Sequence, residues 1–200
     1  MAADRSPAVC AIASATVGAG RIVTADASAL PFGDGTVDAV TGAFLLPHLG
    51  SPTEGLAELR RVLSRGGRLV LTNWAASARS PFTGLLSEIL VAVGSSGAGA
   101  VLASLERLTH PGHLRAALKA VAFKVLVEER RSTVERPSPS TWWDGIVRGS
   151  YGMQCLLRQQ SAGVRAAAKT EFVARAAMLG PLGGPNSVPV AALVISACAE

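Results

Sequence analysis

Apolar and polar positions switch between helical and strand periods along the chain, and the switches mark its predicted elements. Ser6-Pro7 opens the first helix: serine suits the N-cap, proline the first helical position, and apolar residues continue to Val17 before Gly18 stops it. Residues 21–25 form a short β-rich run that ends at Asp26, and Pro31, Gly33, Asp34 and Gly35 mark a turn. Residues 37–44 read as a second buried strand. The best-defined helix follows, with Ser51 as cap, Pro52 at the first position and Glu54 three residues on, a capping box. Leu56, Leu59, Val62 and Leu63 share one face, Glu54, Glu58, Arg60 and Arg61 take the other, and Gly66-Gly67 ends the helix. Residues 68–73 are then an apolar strand of the kind covered on both sides.

Strand, helix and strand joined by short connections predict parallel crossover units and a doubly wound α/β sheet. Beyond Ser80 the pattern turns helical, with a Gly/Ser interruption at residues 94–99. A helix over 111–122 leads into a strand over 124–129. Helices over 141–148 and 154–179 precede a glycine- and proline-rich loop at 180–186 and a last strand over 188–197. No internal repeat is present. The whole reads as a single domain, residues 1–79 forming one half and 80–200 the other.

The chain has 200 residues, enough for one domain with a real core. Hydrophobic residues at 49% and charged ones at 16% exclude a disordered chain, and aromatics at 4% leave the core to Ala, Val, Leu and Ile. A net charge of +5 would suit a nucleic-acid binder only if it were clustered. The basic residues instead come singly or in pairs, Arg60-Arg61 and Arg130-Arg131, with carboxylates close by. A mixed solvated surface is the better reading, with no nucleic-acid partner. Cys10, Cys155 and Cys198 are few, odd in number and far apart, so no disulfide framework or metal site can be read from them. Asp4 and Arg5 interrupt the N-terminus, and no apolar run is long and uncharged enough to span a bilayer. The expectation is a soluble cytoplasmic protein without a membrane partner.

In an open α/β sheet, ligands lie beyond the carboxyl ends of the strands. Candidates there are Asp26-Ala27, the run from Thr41-Gly42 to Phe44, and Asn73-Trp74. Asp26 either accepts hydrogen bonds from a bound nucleoside or caps its own turn. His110 and His113 stand three apart with Pro-Gly between them and no third ligand, which favours a helix-opening loop over a metal site. No Gly-x-Ser-x-Gly elbow or phosphate loop exists, so hydrolase and nucleotidase chemistry lack their parts. Trp142-Trp143 reads as core packing, with a substrate wall as the alternative.

The order of the pieces carries more than any one of them. Asp26-Ala-Ser-Ala-Leu-Pro-Phe32, then Asp34-Gly-Thr-Val-Asp-Ala-Val40, then Leu59-Arg-Arg-Val-Leu-Ser-Arg-Gly-Gly-Arg-Leu-Val-Leu71 resembles the class I S-adenosylmethionine-dependent methyltransferases, in particular small-molecule enzymes related to quinone biosynthesis. The resemblance is tight over residues 4–74 and looser after. Leu118-Lys-Ala-Val-Ala-Phe123 is similar to the family's Leu-x-x-Ala-Gly-Phe, with Ala122 in place of the glycine. It implies a Rossmann-like fold with an antiparallel last strand and S-adenosyl-L-methionine as cofactor. Asp26 and Ala27 would then meet the adenine, Asp4 would accept the two ribose hydroxyls, and Thr41 and Gly42 would border the methionine part. Asp38 is structural on this reading. His48 is the one nearby candidate base for an acceptor hydroxyl or amine, with a structural or solvated loop histidine as the alternative. The partner would be a small-molecule methyl acceptor.

The resemblance also implies an absence. The family's first strand and its Gly-x-Gly-x-Gly loop would lie upstream of Asp4, and the glycine-containing stretches at 18–20, 94–99 and 180–184 read as turns instead. The expectation is therefore an N-terminally truncated form, lacking the first strand, first helix and most of the second strand, through a miscalled start or a decayed gene. The missing strands would lie between those at 21–25 and 37–44. Either the remaining strands close up, or a second copy or complementing chain fills the gap, or the chain is marginally stable. The rival reading is a non-catalytic methyltransferase-like remnant that does not bind the cofactor alone. A basic nucleic-acid-modifying methyltransferase is a third, without a basic cluster to support it.

Overall fold

The computed structural model describes residues 1–18, 20–75, 84–95, 97, 108–135, 138–149, 151–178 and 187–200. It is a mixed α/β chain in the order β1 (Ala2–Asp4), α1 (Pro7–Val17), β2 (Ile22–Thr24), β3 (Val37–Ala43), α2 (Pro52–Val62), β4 (Leu63–Trp74), α3 (Gly84–Ala92), α4 (Pro111–Ala120), β5 (Phe123–Glu135), α5 (Pro139–Gly149), α6 (Tyr151–Arg158), α7 (Ala162–Met178) and β6 (Ser187–Ala199). The loop expected at 180–186 and most of the glycine interruption at 94–99 lie outside the described residues. No helix among those described is long and apolar enough to cross a membrane.

The helix starts are built as their sequences predict. Ser6 Oγ accepts the Val9 N–H at 3.4 Å and Ser51 Oγ accepts that of Glu54 at 3.3 Å, each just ahead of a proline. Gly18 closes α1 at φ 93°, its N–H donated to the Ser14 carbonyl. Several bounds differ from expectation: β5 runs on to Glu135 rather than stopping at 129, and two further departures have a visible cause. α2 ends at Val62, because Leu63 is already extended (φ −74°, ψ 131°) and starts β4 well before the Gly66-Gly67 pair. The single helix expected over 154–179 is two. Ser161 Oγ accepts the Val164 N–H at 3.2 Å and caps a new helix, while the buried Gln160 amide turns back onto the Leu156 carbonyl at 2.9 Å.

The strands form two sheets. β1 and β2 pair in parallel, Ala2 opposite Ile22 and Asp4 opposite Thr24. The second sheet has the order β3-β4-β6-β5, with β3 and β4 parallel and in register from Ala39 opposite Arg68 to Ala43 opposite Thr72. β1 and β3 lie in different sheets and do not pair. This corrects the expected burial. In β3, Ala39, Thr41 and Ala43 are exposed; in β4, Leu69, Leu71 and Asn73 are buried while Arg68 and Val70 face outward. The cause lies in where α1 packs: it lies on β1 and β2, whereas Leu56, Leu59 and Val62 bury the apolar stripe of α2 as predicted, and the expected fourth member, Leu63, is buried as the first residue of β4.

Two compact units emerge. One comprises Met1–Asn73, Pro111–Glu128 and Val194–Glu200; the other comprises Trp74–His110 and Glu129–Leu193. The second has its own core, in which Trp142 and Trp143 both meet Phe172 edge-on, with centroids 5.4 and 5.6 Å apart and Leu86, Ile89 and Leu90 of α3 packed in the same cluster.

Candidate functional site

The sequence candidates fall at strand ends. Asp4 closes β1 and Asp26 lies two residues past β2, so their carboxylates stand at the carboxyl edge of one parallel pair. The Ala25 N–H donates to the Asp4 carbonyl at 3.0 Å and ties the two ends together. Both side chains are exposed. Asp4 Oδ1 accepts the Ser6 N–H at 2.7 Å, which fixes the entry to α1. Asp26 Oδ1 accepts the Ser28 hydroxyl at 2.6 Å and the Ser28 N–H at 2.8 Å, an Asx-type turn that carries the half-buried Ala27. Of the two roles open to Asp26, the turn role is therefore filled by one oxygen. The second oxygen of each carboxylate has no partner among the described residues. The Ser28 bonds, with Arg5 nearby adding a smaller pull, hold the Asp26 carboxyl below its ordinary value. It stays an ionised, acceptor-only group at neutral pH.

Thr41 and Gly42 lie near the carboxyl end of β3, opposite Val70 and Leu71. Thr41 is exposed. Gly42 has a packing reason of its own: a Cβ there would stand 2.8 Å from Leu71 Cδ2 and 3.2 Å from Leu45 Cδ2. Phe44, just past the strand, adopts φ 51°, a left-handed backbone that a bulky residue rarely takes. Its N–H is shared between the Thr72 carbonyl at 3.1 Å and the Thr72 hydroxyl at 3.2 Å. Strained backbone of this kind clusters at ligand sites, and no sequence signal announced it. His48 ends the short 3-10 turn Leu46–His48, which is anchored by the fully buried Leu46. The imidazole is exposed and unpaired among the described residues. Asp38 accepts the Ser64 hydroxyl at 3.3 Å, a bond within the β3–β4 pair. The structure thus groups Asp4, Asp26 and Ala27 on one sheet, and Thr41, Gly42 and the turn bearing His48 on the other.

One feature beneath the site differs from the sequence reading. Glu58 and Arg61 belong to the expected solvent face of α2, yet they clamp the loop after Asp26. Arg61 donates from Nε and Nη2 to the two Glu58 oxygens at 2.7 and 2.6 Å, from Nη1 to Asp34 at 2.6 Å, and to the carbonyls of Phe32 and Leu30 at 2.9 and 3.1 Å. Glu58 in turn accepts the Leu30 N–H at 2.7 Å. The Arg61 guanidinium holds the Glu58 carboxyl below its ordinary range, against a smaller opposing push from burial, and Arg61 itself is raised by the same bonds. The Leu30-Pro31-Phe32 motif is thereby pinned to the helix. Its spacing to a Glu-x-x-Arg on the next helix is the signal that could have revealed the clamp.

Residues 1–71 match the family model for a methyltransferase domain. The demethylmenaquinone methyltransferase of Thermus thermophilus is 36% identical over 119 residues, covering 54% of this chain and 54% of that enzyme. The chain spans no more than about half the length of the first curated relatives it matches. Among solved structures, the YcgJ protein of Bacillus subtilis superposes with a TM-score of 0.57 at 18% identity, over 99% of this chain and 81% of that one. The Haemonchus contortus phosphoethanolamine N-methyltransferase 2, solved with S-adenosylhomocysteine, gives 0.50 at 14% identity, over 99% and 42%. The Rossmann-like fold and the resemblance to class I S-adenosylmethionine-dependent methyltransferases are borne out together.

Proposed function

We propose that the chain is a class I S-adenosylmethionine-dependent methyltransferase that methylates an oxygen, nitrogen or carbon atom of a small-molecule acceptor. The observation that carries this reading is the carboxylate pair, Asp4 and Asp26, at one strand edge inside the stretch that matches the family, each with an uncommitted oxygen. A carboxylate only accepts hydrogen bonds, while ribose hydroxyls and the adenine amino group donate them, so the donor set fits the cofactor. When bound, S-adenosylmethionine supplies a methyl group on a sulfonium that is its own leaving group. The protein's part is alignment and exclusion of water. Asp26 and Ala27 would hold the adenine, Asp4 the ribose, and Thr41 and Gly42 would border the methionine part. The open ring of His48 would take the proton from an acceptor hydroxyl or amine. The chain would act in the cytoplasm, alone or completed by a second copy or a complementing chain. The Thermus relative's name makes demethylmenaquinone the first acceptor to assay.

Thermal melts with and without S-adenosylhomocysteine test the reading, since a ligand bound only by the native state raises Tm. A rise that shrinks in Asp4→Asn and Asp26→Asn is expected. A cooperative melt that no concentration of the ligand moves would refute cofactor binding and leave the non-catalytic reading in its place.

A further inference from the structure

The three helices after β5 form an open concavity of about 890 Å³ that touches Trp143 but none of Asp4, Asp26, Ala27, Thr41, Gly42 or His48. Its size is that of a small-molecule site. The floor is apolar, made by the buried Trp143 and Leu157 with Val147 beside them. Charged residues of one sign only line it: Arg148 lies in the last turn of α5, Arg158 ends α6, and Arg165 and Lys169 stand one turn apart on α7. Trp143 and Leu157 also belong to the core cluster with Trp142, Ala168 and Phe172, so the floor of the cavity is an edge of that core.

The cations are only partly satisfied. Arg165 gives Nη1 to the Gln160 carbonyl at 2.5 Å, and Lys169 lies 3.8 Å from Asp144, with both side chains half-exposed. Arg148 and Arg158 have no side-chain partner among the described residues. The Arg148 backbone is nonetheless held in place, because the Gln154 amide donates to its carbonyl at 2.7 Å. Four cations around one concavity repel each other unless an anion sits between them. Arginine forks bind carboxylate, sulfonate or phosphate in bidentate fashion, while a tryptophan floor takes a flat or aliphatic body.

We infer that this cavity binds a small organic anion with an apolar body, its charged group held by Arg148 and Arg158 and its body laid on Trp143 and Leu157. The site is independent of the methyl-transfer reading. It stands on its own residues, and its failure would leave the carboxylate pair untouched.

A matched pair of dyes tests it on the whole chain. 8-Anilinonaphthalene-1-sulfonate carries the charge, and N-phenyl-1-naphthylamine has the same ring system without it. The sulfonate should bind with one-to-one stoichiometry, more tightly than the neutral dye, and weaken as salt rises. Arg148→Gln with Arg158→Gln should weaken the sulfonate about tenfold and leave the neutral dye unchanged, the loss expected for removing charge-assisted bonds. Ala166→Trp, an exposed lining position, should block both dyes without disturbing the core. Cooperative melts confirm that each variant folds, and Ala166→Trp alone suffices should the double variant fail to. Equal affinity for the two dyes, many-site binding, or indifference to Ala166→Trp would overturn the inference. Displacement by a short oligoribonucleotide, or cosedimentation with phosphatidylglycerol vesicles that Ala166→Trp leaves intact, would overturn it in favour of an unspecific cationic face.

Discussion

Ala122 stands where the resembling family carries glycine, and the structure gives the reason for a glycine there. After α4 ends at Ala120, the chain turns through Val121 and Ala122 into β5, and Ala122 takes φ 58°. Its N–H donates to the Lys119 carbonyl at 3.1 Å and its carbonyl accepts the Glu200 N–H at 3.1 Å, so the turn is fixed from both sides. A Cβ in the left-handed basin costs about 1–2 kcal/mol. Glycine removes that strain but loses more backbone freedom on folding, about 0.5–1 kcal/mol. The Ala122 methyl is exposed, so little burial is lost. Ala122→Gly should therefore stabilise by about 0.5–1 kcal/mol, which for a chain of this size raises Tm by about 1–4 °C. Ala116→Gly is the control: the same chemical change at an exposed position inside α4, where glycine should cost about 1 kcal/mol and lower Tm by about 2–4 °C. Melts followed by far-ultraviolet circular dichroism read both. Opposite signs are expected, and a fall in both variants would refute the argument from backbone conformation.

Glu58→Gln should lower Tm by about 2 °C at neutral pH, the modest worth of a partly exposed clamp. Glu58 is held below its ordinary range by Arg61, so its contribution is complete above the unfolded-state pKa and is lost as pH falls through the lower folded-state value. The gap in Tm between wild type and variant should accordingly close below about pH 4, and a gap that persists in acid would refute the assignment. Gly42→Ala would press a methyl to 2.8 Å from the fully buried Leu71. A denaturant titration should show a loss of about 1–3 kcal/mol even with no ligand present. Phe172→Ala removes the ring that both tryptophans meet edge-on and should cost about 3–5 kcal/mol, read as a lower-temperature near-ultraviolet transition of the tryptophan signals.

Local chemistry was legible in the sequence, and long-range pairing was not. The Ser6-Pro7 and Ser51-Pro52 helix starts, the apolar stripe of α2 and the strand at 37–44 lie within a few residues of their predicted bounds, because capping and periodicity act over one or two turns. Asp26 as a turn residue was legible for the same reason: its Ser28 partner is two positions away. The Glu58–Arg61 clamp reaches back 27 to 31 residues to Asp34 and Leu30, and charge patterning on a helix cannot tell a solvated face from one that grips a loop. The left-handed Phe44 was equally silent, since its backbone N–H is bonded to Thr72 across the sheet, 28 residues on.

The burial of β3 and β4 ties these threads together. A strand run such as Leu69-Val-Leu71 predicts cover on both faces, yet Val70 is 39% exposed and Ala39, Thr41 and Ala43 of β3 face outward. The mismatch follows from topology. α1 packs on β1 and β2, and β3 ends the four-stranded sheet with an unpaired row of backbone groups. An apolar strand with an open face and a free edge is a local commitment to packing that the described residues leave unmet. The proposed cofactor residues divide along the same line, with Asp4, Asp26 and Ala27 on the two-stranded sheet and Thr41, Gly42 and His48 on or after β3. Whatever orders the free edges of β1 and β3 would therefore also set how these two groups of residues meet a ligand. Stability and ligand affinity should accordingly rise together under any condition that pairs those edges.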